Sequence, residues 1–415
     1  MATPKLRFKE FDGDWSNKKI GNIASKVGSG STPRGGAEAY TDHGIIFIRS
    51  QNINNDQLLL DDVAYIPEET HLKMSGSKVI ANDILLNITG ASIGRSCVVP
   101  HDFTEGNVNQ HVCIIRTPND DPIFVQSFLS SENGQNAIQS KQAGGGREGL
   151  NFQAIRSIDF HFPPLKEEQT KIASFLSAVD EKMSQLTQKH ELLCQYKQGM
   201  MQKLFSQQIR FKADDGSEFG EWEEVRLGNL VDLTSGFAFK SDFFSEDGNK
   251  LITPKNFTTT GKANFTDTNT KWTTEISDKK YICRPNDLLV LLTDLTQSCE
   301  LLGKPILLSQ DDGNVLLNQR IVKIIPNRKL EKPFLLYLLL TDDFHELIVS
   351  TASGTTVKHS SNKVLQNFHF YLPCLEEQTK IANFLSAIDQ KIEVVAQQIE
   401  QAKQWKKGLL QQMFV

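Results

Sequence analysis

Gly144, Gly146 and Gly149, in the segment GGGREG, have the spacing of a nucleotide-binding turn, whose backbone N–H groups cradle a phosphate. That chemistry needs a strand before the turn and a helix after it, and here a helix-like stretch precedes it. The match is therefore read as a glycine-rich loop. Gly303-Lys304 is the nearest approach to a P-loop, but Pro305 follows it and the leading glycine is missing. No HExxH zinc motif, no GxSxG nucleophile turn and no Asn-Pro-Pro-aromatic tetrapeptide of an amino-methyltransferase occurs. His43, His71, His101, His111, His161, His345, His359 and His369 are scattered without ligand spacing. Cys97, Cys113, Cys194, Cys283, Cys299 and Cys374 have no paired spacing, so reduced thiols are expected, with neither a disulfide frame nor a zinc site. The chain is expected to have no catalytic residue, no metal and no cofactor of its own.

The elements that would position any site belong to a chain of 415 residues, too long for one ordinary core, so two or more domains are expected. No run of about 18 apolar residues suggests a membrane span. The first residues, MATPKLRFKEFDGDW, lack the apolar core of a secretory signal. A cytoplasmic location is expected. A net charge of −5 does not point to nucleic acid, yet a basic face can be offset by acidic surface elsewhere.

The dominant feature is an internal repeat. EEQTKIASFLSAVDEK at 167 and EEQTKIANFLSAIDQK at 376 share 13 of 16 residues, and the match runs without a gap from Glu167–Phe205 onto Glu376–Phe414. Ile172, Val179, Leu186, Leu193 and Met200 stand seven apart, as do Ile381, Ile388, Val395, Ala402 and Leu409. A second row, Leu176, Met183 and His190, corresponds to Leu385, Ile392 and Ile399. Such rows place one apolar stripe on a long helix, about 58 Å at ~1.5 Å per residue. Pro163, Pro164 and Pro373 mark the starts. Two such stripes would most simply bury each other; the alternative is two helices, each packed on its own domain.

Fainter repeats precede each helix: LRFKEFDGDW and IRFKADDGSEFGEW, KKIGNI and VRLGNL, NDILL and NDLLV, NQHVCII and NQRIVKI. Short apolar runs (GIIFIRS, NDILLNIT, HVCIIRT; KLITP, DLLVLLT, QRIVKII) predict strands, and 122–140 and 332–350 each predict a late helix. The expected fold is α+β: mixed α/β domains over 1–162 and 209–371, with repeated long helices over 163–208 and 372–415.

The runs PPLKEEQxxIA at 163 and PCLEEQxxIA at 373, each opening a helix after a variable domain, combine with Trp-(x)5-Gly-Asn at 15 and 222. Together they resemble the specificity subunit of type I restriction–modification systems, over the whole chain. Lys166 is inserted before the first Glu-Glu-Gln, and Cys374 stands where a second proline usually falls. The resemblance implies two target recognition domains, each reading one half of a split, asymmetric sequence in double-stranded DNA. It implies helices that lie antiparallel as a coiled coil with pseudo-twofold symmetry, space the domains and dock two methyltransferase subunits. Restriction (motor and nuclease) subunits would join them, and S-adenosylmethionine would be bound by the methyltransferase partners.

Base reading needs paired donors and acceptors on loops beside strand ends. In the first domain the candidates are Arg34, Arg49, Gln51, Asn52, Arg95, Arg147 and Asn151. In the second they are Lys255, Asn256, Asn318, Gln319, Arg320, Thr355, Lys358 and His359. The competing reading is a cytoplasmic scaffold that joins two protein partners through its paired helices without DNA. Two unlike domains on a shared skeleton favour the DNA reading.

Overall fold

The strands come from the short apolar runs and the two long helices from the repeated stretches. The computed structural model describes residues 3–142, 149–275, 277–294, 296, 298–354 and 357–414. Unit 1 comprises Met1–Gln188 with Val395–Val415, and unit 2 comprises Lys189–Val394. The long helices, α1 (Lys166–Phe205) and α2 (Leu375–Met413), each contribute one part to each unit. No described helix is long and apolar enough to cross a membrane.

In unit 1 an antiparallel sheet runs in the order Lys26–Ser29, Val112–Arg116, Ile84–Asn87, Ser96–Val98. A second sheet runs Ala64–Ile66, Ile45–Ile48, Gly106–Val108, Lys78–Val79, with Gly106–Val108 parallel to Ile45–Ile48. Successive strand residues point to opposite faces, so one strand can feed two cores. Ile84, Leu86, Cys113 and Ile115 enter the core around Phe124, whereas Leu85, Val112 and Ile114 enter the one around Val108. Burial on both faces is why these strands read as unbroken apolar runs.

Unit 2 repeats the plan. Its first sheet runs Val231–Ser235, Ile321–Pro326, Leu288–Leu291, Pro305–Leu307. Its second runs Phe244–Ser245, Lys271–Thr273, Asn249–Ile252, Val315–Leu317, Ile282–Cys283, with Val315–Leu317 parallel to Asn249–Ile252. Leu288, Val290, Val322 and Ile324 face one core and Leu289, Leu291 and Ile321 another.

The two late helices are each broken in two. Pro122–Ser130 and Glu132–Ser140 meet at Ser131, which is extended and whose hydroxyl accepts from the Gly134 N–H and donates to the Phe128 carbonyl. Lys332–Leu339 and Asp342–Ser350 meet at Leu340 and Thr341; Thr341 is likewise extended and its hydroxyl donates to the Leu338 carbonyl. A hydroxyl residue offers the backbone such an alternative partner, and this local competition ends one helix and begins the next.

The Glu-Glu-Gln repeat is a pair of clasps. In unit 1 the buried Glu168 carboxylate accepts from Arg7 Nε and Nη2 at 2.7 and 2.8 Å and from Trp15 Nε1 at 3.2 Å. In unit 2 Glu377 accepts from Arg210 Nε and Nη2 at 3.1 and 2.8 Å and from Trp222 Nε1 at 2.9 Å. These hydrogen bonds hold the Arg7 and Arg210 guanidiniums above their ordinary pKa, outweighing the opposing effect of burial. The next residues anchor the loop before the late helix. Gln169 accepts from the Asp121 N–H and donates to Asp120, while Gln378 accepts from the Glu331 N–H and donates to the Lys329 carbonyl.

Farther along, α1 and α2 run antiparallel. In unit 1 Lys406 sits 2.7 Å from Asp180 and 2.9 Å from Asp56; in unit 2 Lys197 sits 2.6 Å from Asp389. Lys197 and Lys406 are equivalent positions of the repeat, as are Asp180 and Asp389, so one pairing is used in both units. Burial alone would lower the Lys406 pKa, but its two carboxylates raise it above the ordinary lysine value. The equivalent ends Phe414 and Phe205 place their rings 5.3 Å from Phe124 in unit 1 and 5.6 Å from Phe334 in unit 2. Of the heptad row, Ile172, Val179, Leu186, Ile381, Ile388, Val395 and Leu409 are buried, and Leu193, Met200 and Ala402 are half-buried. The stripes face a partner helix and a domain core at once: Ile172 and Val179 share a core with Leu409 and Phe124, Ile381 and Ile388 with Leu204 and Phe334.

Cys97, Cys113 and Cys283 are buried, and burial pushes all three thiols up, Cys113 and Cys283 to about 12. Cys194 and Cys374 are exposed. Because the thiolate is the reactive form, a maleimide should modify Cys194 and Cys374 in the native chain and reach Cys97, Cys113 and Cys283 only in denaturant. Peptide mass mapping checks this; native labelling of Cys113 at the rate of Cys374 would contradict the burial described.

Candidate nucleic-acid interface

Parallel pairing places the C-terminal ends of two strands side by side. In unit 1 the chain leaves Ile48 into the turn Ser50–Asn52 and leaves Val108 into Asn109-Gln110-His111, and the Asn109 N–H donates to the Ile48 carbonyl at 3.1 Å. Three further loops converge there through backbone bonds. Gly30 donates to Asn109 O at 3.1 Å, Ile88 to His111 O at 3.0 Å, and Leu150 to Ile88 O at 2.9 Å. A Cβ on Gly30 would lie 1.6 Å from the Val108 carbonyl oxygen, so only glycine permits this approach. The Asn87 amide also ties the Ile88 loop to the Ser50–Asn52 turn by donating to Ser50 O at 2.9 Å.

Side chains continue the network. Thr32 Oγ1 lies 2.5 Å from Gln110 Oε1, Gln110 Nε2 lies 3.1 Å from His111 Nε2, and His111 Nδ1 lies 2.5 Å from Thr89 Oγ1. Around this chain Arg34, Gln51 and Arg95 are exposed, Gln51 reaching Asp62 at 3.2 Å, and Arg49 is half-buried. Asn52 is buried, with its amide committed to Arg49 N, Leu59 O and Asp62 O, so it frames the turn. Asn151 is exposed and caps the helix Phe152–Arg156 by accepting from the Ala154 N–H at 2.8 Å. Arg147 lies outside the described residues.

Unit 2 builds the same end with different residues. The turn Pro254–Asn256 follows the strand Asn249–Ile252, and Asn318-Gln319-Arg320 follows Val315–Leu317. Phe237 donates to Leu317 O at 2.9 Å, Leu292 to Arg320 O at 3.0 Å, and Ser360 to Leu292 O at 3.0 Å. Gly236 is the counterpart of Gly30, with a Cβ there 1.9 Å from the Asn318 carbonyl oxygen. Asn256 is buried and bound to Thr253 N and Asn264 O, framing its turn as Asn52 does. Asn318 is half-buried and accepts from the Arg320 N–H at 3.2 Å, as Asn109 accepts from that of His111 at 3.0 Å. Lys255, Gln319 and His359 are exposed, and Arg320 and Lys358 are half-buried. His359 Nδ1 lies 3.1 Å from Thr293 Oγ1, and Lys358 pairs in strand register with Asp294. Thr355 lies outside the described residues.

Each unit therefore gathers five parts at one end, rich in amide, hydroxyl and basic groups: its Gly-entered loop, its two strand-end turns, the loop of Ile88 or Leu292, and the loop leading to its repeated helix. The family model described as the type I restriction modification DNA specificity domain matches residues 12–193 and again residues 220–404. The chain belongs to this family.

The type I restriction enzyme MjaVIII specificity subunit of Methanocaldococcus jannaschii is 28% identical over 355 residues, covering 82% of this chain and 80% of the relative. A putative MjaX specificity subunit of the same organism is 23% identical over 423 residues, covering 98% and 94%. In fold, the chain is similar to the type I restriction–modification S subunit from M. genitalium, with a TM-score of 0.60 at 17% identity over 100% of this chain and 99% of the other. A chain from a structure of complex assembly in a type I system gives a TM-score of 0.59 at 18% identity, with 97% of both chains covered. As a member of the type I specificity family, the chain supplies DNA sequence specificity within a restriction–modification assembly, and the DNA-free scaffold is not favoured. Sequence reasoning missed Thr32, Thr89, Gln110 and His111 at this end. The signal was available in the NQHVCII–NQRIVKI repeat, where the Gln occupies the same position in both domains.

Proposed function

We propose that each unit of this type I specificity subunit reads one half of a split DNA target, and that two methyltransferase subunits dock on equivalent surfaces of α1 and α2. The observation that carries this reading is the same five-part loop end built twice, with Gln110-His111 in one unit where Gln319-Arg320 stands in the other. One framework with two reading sets suits a bipartite, asymmetric sequence. A gapless helical repeat suits two identical partners. In this reading S-adenosylmethionine belongs to the methyltransferase partners, restriction subunits complete the nuclease, and this chain binds no cofactor.

Purified alone, the chain should transfer no methyl group and cut no DNA; with its methyltransferase partners it should direct methylation to a single split sequence. Genome-wide mapping of methylated bases in a host that expresses the set tests this, and unsplit or random methylation would sink it. Arg95 and Lys255 are exposed at the two loop ends and suit phosphate contacts. Changing either to Ala should weaken binding of the assembled enzyme to all sequences alike and lower the slope of log K against log salt by about one. An unchanged slope in both variants would place these side chains off the DNA.

A further inference from the structure

We propose that Gln110 is a base-reading residue for the first half-site, recognising the adenine of an A·T pair from the major groove, with Thr32 and His111 as positioning residues. The proposal rests on the DNA-reading function above and assigns one reader within it.

Gln110 is exposed at the apex of the turn between Gly106–Val108 and Val112–Arg116, where the loops of unit 1 converge. The turn is fixed beneath it: Asn109 Oδ1 accepts from the His111 N–H at 3.0 Å, and the Asn109 N–H is bound to Ile48 O at 3.1 Å. The side chain is fixed as well, with Thr32 Oγ1 2.5 Å from one end of its amide and His111 Nε2 3.1 Å from the other. His111 is itself held through Nδ1 by Thr89 Oγ1 at 2.5 Å. A primary amide has two N–H donors and two acceptor lone pairs. Two tethers at opposite ends use one donor and one acceptor, and this holds whichever way the amide is turned. One donor and one acceptor remain on a carboxamide that is already tethered at both ends. Adenine offers the complement in the major groove, an acceptor at N7 and a donor at N6.

The neighbours suit other tasks. Both ring nitrogens of His111 are engaged, Asn52 and Asn151 have committed their carboxamide oxygens to turn and helix caps, and exposed Arg34 and Arg95 suit phosphates or guanine. In unit 2 Gln319 occupies the same apex, but Arg320 replaces the imidazole, so the tether is not repeated.

The test uses the enzyme assembled with its methyltransferase subunits, on duplexes with the mapped target and with every single base-pair change in it. Gln110→Ala should weaken binding to the cognate duplex roughly 5- to 150-fold. It should also abolish discrimination at one A·T position of one half-site, leaving all other positions unaltered. Thr32→Val, which keeps the volume and removes the hydroxyl, should relax the same position less and add nothing in the Gln110→Ala background. Unaltered preferences in Gln110→Ala, equal weakening of all duplexes, or loss of discrimination at a G·C position would each overturn the assignment. A wild-type enzyme with no base preference at all would overturn the DNA-reading function, and this proposal with it.

Discussion

Replacing residues 1–162 with the corresponding domain of another family member should produce an enzyme that methylates a target with one new half and one retained half. The expectation follows from how unit 1 is closed. Its candidate reading end is built from loops within residues 29–151, tied to one another by backbone bonds. Its contacts with the long helices include the Glu168 clasp, the Gln169 anchor, the Asp56–Lys406 pair and the packing of Phe414 on Phe124. Those residues recur in the repeat and are supplied by α1, α2 and the Phe414 that follows α2, so an exchanged domain meets the groups of its predecessor provided that it has the equivalents of Arg7, Trp15, Asp56 and Phe124. Mapping methylated sites in cells expressing the chimera gives the answer. A change in both halves would show that the two reading ends are not independent. An unchanged target would remove sequence reading from the first domain altogether.

Glu377→Ala should cost about 3–5 kcal/mol of stability, the range for breaking a buried ion pair from one side. The carboxylate is fully buried, and its loss leaves the Arg210 fork and the Trp222 N–H without their acceptor. Glu377→Gln retains volume and one acceptor but forfeits the charge, so it should fall between wild type and Ala. Glu168→Ala should do the same in unit 1, with Arg7 and Trp15 left behind. Hydrogen exchange localises the effect: in Glu377→Ala, protection should fall first at Trp222–Leu230 and at the start of α2. Exchange indistinguishable from wild type in both segments would show that the clasp is dispensable and that packing alone seats the helix.

How much of this was legible in the sequence differs by element. The long helices could be read because a seven-residue apolar period over 39 aligned residues has few other physical solutions. The strands at 45, 84 and 112 could be read from apolar runs, but their partners could not. Ile45–Ile48 pairs with Gly106–Val108, some 60 residues onward, and no local pattern encodes that register. The breaks at Ser131 and Thr341 were missed because a hydroxyl residue at the edge of an apolar stretch looks tolerable until its backbone bonds are seen. At the candidate reading end, residue type located the loops but not the part that each residue plays in the fold. Asn52 and Asn256 carry amides that a base reader needs, and a turn frame needs the same amides. Gln110 was passed over although Gln319, at the same position of the second copy of its repeat, was a candidate. The structure distinguishes the exposed amide of Gln110 from the buried amides of Asn52 and Asn256, a difference that sequence does not record.

The division of the chain also has a consequence for synthesis on the ribosome. Unit 2 is a single uninterrupted stretch, Lys189–Val394, whereas unit 1 joins the first 188 residues to the last 21. The part made first is therefore completed last. Until Leu409, Leu410, Met413 and Phe414 emerge, the core around Phe124 and Phe128 has an open side where those residues belong. Domains tend to fold in the order they are made, but here the nested second unit can close while the first still waits for the end of the chain. A nascent chain that stalls or is cut before residue 409 would then carry an intact second reader beside an unfinished first one.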